Sequence, residues 1–324
     1  MMFEYIIESL VYPGLVFVIV MIIFTQWLHR KITGRIQYRR GPTYVGPFGL
    51  LQPFADFMKL LLKEDVVSKY SVKFLPLIIA SLGIGSLAAL LVMTPLAFKP
   101  LYSGYDVIVF FYLALWASIA VLLMGLATPN PYTSLGVGRY MALIVGSEPA
   151  FIASFLVPVI IASKEYSASY SIYLTSLVSD KLWTVDVSSF IAMVIAAIAG
   201  FLALMAVLEI KPFDFPEAEG EIYWGLFTEY GGPRLAFIFF ILFAERIVLP
   251  LIYVLLFLGG SWPVMISQNY ILGVVVILIK YLLVFTVLSI IDNVMPRFTP
   301  TQALRFLWKY PMVLSFFALI VSLI

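Results

Sequence analysis

The 324-residue chain is 63% apolar and only 12% charged, with a formal charge of +2 and a mean hydropathy of +1.05. A soluble domain is about 45–50% apolar and about 25% charged, so the solvent of this chain is lipid, and its small net charge gives no reason to expect nucleic acid. With no cysteine and one histidine, His29, the chain cannot build an iron–sulfur cluster, a structural zinc site or a bis-histidine haem. No metal or cofactor is expected on this chain, and any redox centre belongs to a partner.

A hydrocarbon core about 30 Å thick needs about 20 mostly apolar residues per helix. Runs of that kind predict spans over 11–28, 74–97, 107–126, 141–162, 188–208, 235–258 and 270–291. The final apolar run, 311–324, has 14 residues and becomes long enough if its helix begins near Gln302, with Arg305 and Lys309 at the polar end. The expectation is an all-α polytopic membrane protein of about eight transmembrane helices, forming one integral domain over 1–324. Ahead of the first span, Glu4 and Glu8 stand where a signal peptide would be basic, so the N-terminus reads as a retained helix.

In the first long polar interval, Leu50, Phe54, Phe57, Met58 and Leu61 share one helical face, with Asp56, Lys59 and Lys63 opposite. Too short and too polar to span, this segment is expected to lie in the interface as an amphipathic helix. The basic residues orient the chain. The intervals 29–73, 127–140, 209–234 and 292–310 carry fifteen Lys/Arg and the alternate ones three, which places the former set in the cytoplasm of a multi-pass cell-membrane protein.

One of those intervals goes against the basic trend. Glu209, Asp214, Glu217, Glu219, Glu221 and Glu229 fall within 21 residues, against Lys211 alone. Crowded carboxylates beside a membrane raise one another's pKa, so this loop suits either the start of a proton or cation pathway or a solvated docking patch. Glu148, Glu245, Arg246, Lys280 and Asp292 sit in or at the ends of apolar runs, where an unpaired charge costs several kcal/mol and commonly marks a pathway. Lys280 and Asp292 are expected to snorkel towards the interface. Arg139 and Glu148, nine residues apart, cannot pair on one straight helix. His29, beside Arg30 and Lys31, reads as an interfacial residue.

The segments GRIQYRRGP…VGPFGLLQPFADFMKLLLKE at 34–64 and PFDFPEAEGEIYWGLFTEYGGP at 212–233 closely resemble the two signature regions of the H-type membrane chain of respiratory complex I. The same chain occurs in the energy-converting membrane-bound nickel–iron hydrogenases and allied reductases. Asp214, Glu217, Glu219, Glu221, Gly225, Glu229, Tyr230, Gly232 and Pro233 occupy the places of the second motif, PRFTPTQALRFLWK at 296–309 is similar to the family's ending, and Arg139 and Glu148 match a family pair of identical spacing. The resemblance covers nearly the whole chain.

It implies an anchor and coupling subunit that is not catalytic by itself. Iron–sulfur clusters, and a nickel–iron centre in the hydrogenase branch, lie in peripheral partner subunits, and antiporter-like membrane subunits flank the chain, with lipid around it. By that likeness Asp214, Glu217, Glu219, Glu221, Glu229, Glu245 and Glu148 belong to a proton or coupling path, and Arg35, Arg39 and Arg40 help dock the peripheral subunits; Arg139, Arg246 and Asp292 are expected as supporting residues. Three departures bear on the electron acceptor. Quinone-type members tend to read R-x(3)-Q-x(3)-Y-E where this chain has Arg139, Leu143, Ser147 and Glu148; Arg246 stands for an expected Tyr, and Asp292 for a common Arg. These changes point to an ion-translocating hydrogenase or sulfur reductase moving H+ or Na+. The alternative is the corresponding subunit of a quinone- or phenazine-reducing complex, forming its quinone chamber. A stand-alone ion transporter is the third reading, against which stands the missing broken-helix repeat.

Overall fold

The computed structural model describes residues 2–324, apart from the side chains of residues 2–4 and 219. The described residues are helical and contain no strand. In chain order the helices are α1 (Met2–Leu10), α2 (Leu15–Ile36), α3 (Gln52–Leu62), α4 (Leu75–Val92), α5 (Asp106–Leu126), α6 (Pro131–Tyr166), α7 (Ile172–Val178), α8 (Val187–Val207), α9 (Glu219–Ile222), α10 (Gly232–Phe257), α11 (Tyr270–Val294), α12 (Pro300–Lys309) and α13 (Pro311–Leu323). Eight stretches among them are long and apolar enough to cross a bilayer, in the order the hydropathy runs predict. The last span is α12 followed by α13, broken at Tyr310 because Pro311 opens a new helix.

The largest difference from the apolar-run boundaries is α6. It starts ten residues before the expected 141, because Asn130 caps it by accepting from the Tyr132 amide at 2.8 Å and Pro131 takes the first helical position. The extra turns are too polar to register as a span, and they carry Arg139 and Tyr140 out to the basic side.

Packing explains where the site lies. A helix that is apolar all round is covered by protein or by lipid, and α10 is covered by protein: from Ile247 to Phe257 every residue is buried. It packs against α2, α3, α4 and α11, while α6, α8 and α13 form the other half of the bundle. Glu245 and Arg246 therefore stand near the middle of the molecule, on its most buried helix.

The amphipathic helix α3 lies against α2 and α10, with Phe57 packed near Phe240 at 6.2 Å between ring centroids. Its polar face differs from the expectation. Asp56 turns inward, accepting from Arg30 Nη1 of α2 at 2.5 Å and from Gln52 Nε2 at 2.8 Å. Burial works against its charge, but the Arg30 and Gln52 hydrogen bonds outweigh it and hold the carboxyl below its ordinary value. Lys280 donates to the carbonyls of Leu258 (2.7 Å) and Gly260 (3.0 Å), closing the end of α10 on the side poor in basic residues.

Candidate functional site

The acidic interval between α8 and α10 is mostly folded onto the bundle, with Glu221 and Tyr223 exposed at its tip. Phe213, Phe215, Pro216, Leu226 and Phe227 are buried, and the loop is clasped at four places. At its start, α8 ends in a Schellman motif: the Ile210 amide donates to Met205 O (3.0 Å) and the Glu209 amide to Ala206 O (3.1 Å). Next, Arg297 binds Asp214 through two hydrogen bonds, Nε to Oδ1 at 2.8 Å and Nη2 to Oδ2 at 2.7 Å, and the Phe298 amide donates to Pro212 O at 2.9 Å. The following Thr299 and Gln302 form a capping box that opens α12. In the middle, Gly225, at φ +51°, lies back-to-back with Gly136 of α6; a Cβ on Gly136 would come within 2.6 Å of the Leu226 nitrogen. At the end, Arg234 pairs with Asp65 at 3.1 Å, tying this loop to the first one.

Within this frame the carboxylates fall into two groups. Asp214, Glu221 and Glu229 are partnered: Asp214 by Arg297; Glu221 by Arg139 Nη1 at 2.6 Å; and Glu229 by the Asn130 side-chain amide. Arg139 also donates to Phe215 O, so it pairs across to the loop and not along its own helix to Glu148. Glu209, Glu217, Glu245 and Glu148 have no cationic partner within ion-pair distance among the described residues, and Glu245 accepts a hydrogen bond from Ser118 Oγ at 3.2 Å. The side chain of Glu219 lies outside the described residues.

Glu209 stands apart even in the second group. It occupies the left-handed position of the Schellman motif at φ +51°, where glycine is the usual residue. It is 3% exposed, and neither carboxyl oxygen has a hydrogen-bond partner of normal geometry. Burial, then the charges of Glu217 and Glu245, hold its carboxyl well above the usual carboxylate range, against the weaker pull of Arg246 and the nearby Tyr140 hydroxyl. Glu217, half-buried, is raised by removal from water and by Asp214 and Asp292, against the pull of Arg246 and Arg297. Glu209 is within electrostatic reach of both Glu217 and Glu245, and Glu245 is within reach of Glu148. The fully buried Tyr140 hydroxyl lies in the field of Glu209, Glu245 and Glu148 and has no hydrogen-bond partner of normal geometry. Sequence reasoning counted Glu209 in the loop without giving it a role, and missed Tyr140; the signal for Glu209 was a charge directly abutting an apolar span.

The basic residues separate as well. Arg39 and Arg40 are exposed and line an open pocket of about 660 Å³ with His29, Arg30 and Gln52. Arg35 faces elsewhere, into a shallow apolar groove between α2 and α11. Asp292, in the last turn of α11, has protein partners: its Oδ1 accepts from the Lys211 amide at 3.2 Å, and its Oδ2 lies 3.7 Å from His29 Nε2. A further cavity of about 340 Å³ lies between α2, α3 and α10, lined by apolar side chains such as Ile22, Phe57 and Phe240, with Gln26, Arg30 and Asp56 as its polar groups.

Comparison with known proteins agrees with this architecture. Residues 10–323 match the family model for NADH dehydrogenase. The chain is 30% identical to the H-type subunit of the NADH-quinone oxidoreductase of Dehalococcoides mccartyi, over 99% of this chain and 88% of that one. It is 32% identical to the H-type subunit of the F420H2 dehydrogenase of Methanosarcina mazei, over 89% and 84%. Its fold is similar to a chain of a membrane-bound sulfane sulfur reductase, an archaeal respiratory membrane complex, with a TM-score of 0.77, 23% identity, and 95% and 96% of the two chains covered. The chain belongs to the NADH dehydrogenase family, as the H-type membrane subunit of a complex I-like oxidoreductase.

Proposed function

We propose that this chain is the anchor and proton-coupling subunit of its complex, and that it does no redox chemistry by itself. The carrying observation is Glu209. A carboxylate that is buried, unpartnered and in a left-handed backbone conformation costs folding free energy, so its identity is set by something other than stability. The reading is supported by its lying within electrostatic reach of Glu217, half-buried in the loop, and of Glu245, buried in α10, which is in turn within reach of the buried Glu148 of α6. Such a series passes protons through intervening water if each member can be neutral near physiological pH. In this reading the loops rich in basic residues face the cytoplasm, peripheral iron–sulfur subunits dock there over Arg39 and Arg40, and antiporter-like subunits take up the coupling within the membrane. The test is Glu209→Gln in the intact complex, reconstituted in liposomes and driven by reduced methyl viologen. Proton translocation is expected to fall while assembly persists, and native translocation would refute the path.

For the electron acceptor we infer protons or a soluble sulfur compound, reduced in the peripheral arm. Arg246 and Asp292 put charges beside Gln26, where the apolar cavity ends, and a neutral quinone headgroup gains little from that environment. A second reading, quinone or phenazine reduction, is favoured by the apolar cavity itself and by the activities named for the H-type relatives. Assaying the purified complex with reduced methyl viologen as donor, and with protons, a soluble polysulfide or a quinone as the acceptor in separate runs, separates them: hydrogen or sulfide production supports the first reading, and quinol formation establishes the second.

A further inference from the structure

The one histidine of the chain takes no part in the carboxylate series, yet it borders two spaces at once. On one side is the open pocket of about 660 Å³ beneath Arg39 and Arg40. On the other is a cavity of about 10 Å³ walled by Gln26, His29, Arg246, Ser289 and Asp292 and by Leu208 and Ile210, the two neighbours of Glu209. That is room for about one water molecule, which needs two to four polar partners.

The polar groups around it are short of partners. Among the described residues, the Arg246 guanidinium and the Gln26 amide make no hydrogen bond or ion pair. His29 Nε2 and Asp292 Oδ2, at 3.7 Å, are too far apart for a direct hydrogen bond. Three helices thus bring a cation, a carboxylate, an amide and an imidazole to a space that none of them closes, the arrangement that an ordered water completes. The charged groups facing His29 are Arg30 on its own helix, Arg246 on α10, Asp292 on α11 and Lys211 in the loop. Neither Glu209 nor Glu217 lines the cavity, but the residues on either side of Glu209 do, and Arg246 is within electrostatic reach of both carboxyls.

We propose that His29 transfers protons between the open pocket and the buried carboxylates, through a water held by Arg246, Gln26 and Asp292. The inference rests on the proton-path reading above and adds a second access route to it, separate from Glu217. The imidazole accepts a proton from pocket water on one ring nitrogen and releases one from the other to the cavity water. That water passes a proton on towards Glu209, and tautomer exchange restores the ring, so no charge accumulates on His29.

The test uses the intact complex in liposomes, driven by reduced methyl viologen with the acceptor it reduces, and internal pH read by pyranine. His29→Ala is expected to slow translocation about tenfold, less than a lost sole proton-transfer group because the Glu217 side stays open. Added imidazole restores the rate, and methylimidazoles do so in the order of their basicity, relative to the native complex at the same additive concentration. A purely structural role would not follow that order. A native rate in His29→Ala, or an assembled variant that imidazoles do not restore, overturns the proposal. If His29→Ala fails to assemble, the near-isosteric His29→Gln must show the same loss, and a native rate there overturns it equally. Glu209→Gln run in parallel separates the two claims. If it is inactive while His29→Ala is native, only the histidine route fails; if it is native, the carboxylate path itself fails.

Discussion

The two signature loops of this chain solve opposite problems. The first, 34–64, is open: Tyr38 and Tyr44 are 100% and 97% exposed, and Arg39 and Arg40 line an open pocket. The second, 209–231, is closed except at its tip, where Glu221 and Tyr223 are exposed: it is clasped by Arg297, by the back-to-back contact of Gly225 with Gly136, and by Asn130. Aromatic side chains left in water cost apolar burial that a folded chain alone does not recover, so the first loop is shaped for something outside the chain. Buried carboxylates cost desolvation, so the second is shaped for something inside it. Mutations should therefore separate cleanly, with intrachain stability and proton transfer following the second loop and assembly following the first.

The largest effect is expected at Glu209. Glu209→Gln keeps the shape and removes the titrating group, and translocation should drop by about 100-fold, the low end for a lost proton-transfer residue. Stability should move the other way. Because the folded carboxyl is raised above its unfolded value of 4.5, its favourable contribution is complete below that pH and is lost as pH rises through the folded value. The variant should match the native complex in thermal melts at about pH 5 and exceed it increasingly towards about pH 8. A melting difference that does not change with pH would show that Glu209 is not held neutral. Next comes Asp214→Asn, which breaks one of the two charge-assisted bonds to Arg297 and leaves that guanidinium half-paired. A loss of about 2 kcal/mol is expected, read by thermal unfolding, with slower proton translocation following from displacement of the loop.

How much of this was readable beforehand follows from the range of each interaction. The spans were legible because bilayer thickness imposes a length that any apolar run reveals. The amphipathic face of α3 was legible for the same kind of reason, but the inward turn of Asp56 was not, since it depends on Arg30 arriving from a different helix. The acids of the second loop could be counted but not sorted. Asp214 and its partner Arg297 are 83 residues apart, and nothing local distinguishes a paired carboxylate from an unpaired one. Nor can composition show that Glu209 takes the left-handed place in a helix-terminating motif; only backbone geometry does. His29 looked interfacial because its neighbours Arg30 and Lys31 are basic, whereas the groups that give it meaning, Arg246 and Asp292, come from α10 and α11.

Smaller effects sharpen the open side of the comparison. Replacing Arg39 and Arg40 together by Ala should change the stability of the chain by less than about 0.5 kcal/mol, as for surface positions generally. Peripheral subunits should nevertheless be lost from purified membranes at moderate salt, because contacts between exposed charges are screened. Retention of a complete complex through a salt wash would remove these arginines from the docking surface.

Asp56 tests where the boundary between the two regimes falls, since it belongs to the open loop but is paired like the closed one. Its carboxyl is held below the ordinary 3.8 with burial opposing and the Arg30 and Gln52 hydrogen bonds prevailing, so its contribution is present above about pH 4 and disappears as pH falls through the lower folded value. About a third of its side chain remains exposed, and solvent screening keeps the contribution of the pair below about 1 kcal/mol. Asp56→Asn should therefore lower the melting temperature slightly near neutrality, with a difference that shrinks as pH falls below about 4, the reverse of the trend expected for Glu209→Gln. If both variants shift melting in the same direction as pH rises, the distinction between a carboxylate held ionised by a partner and one held neutral by burial would fail at its two best-defined positions.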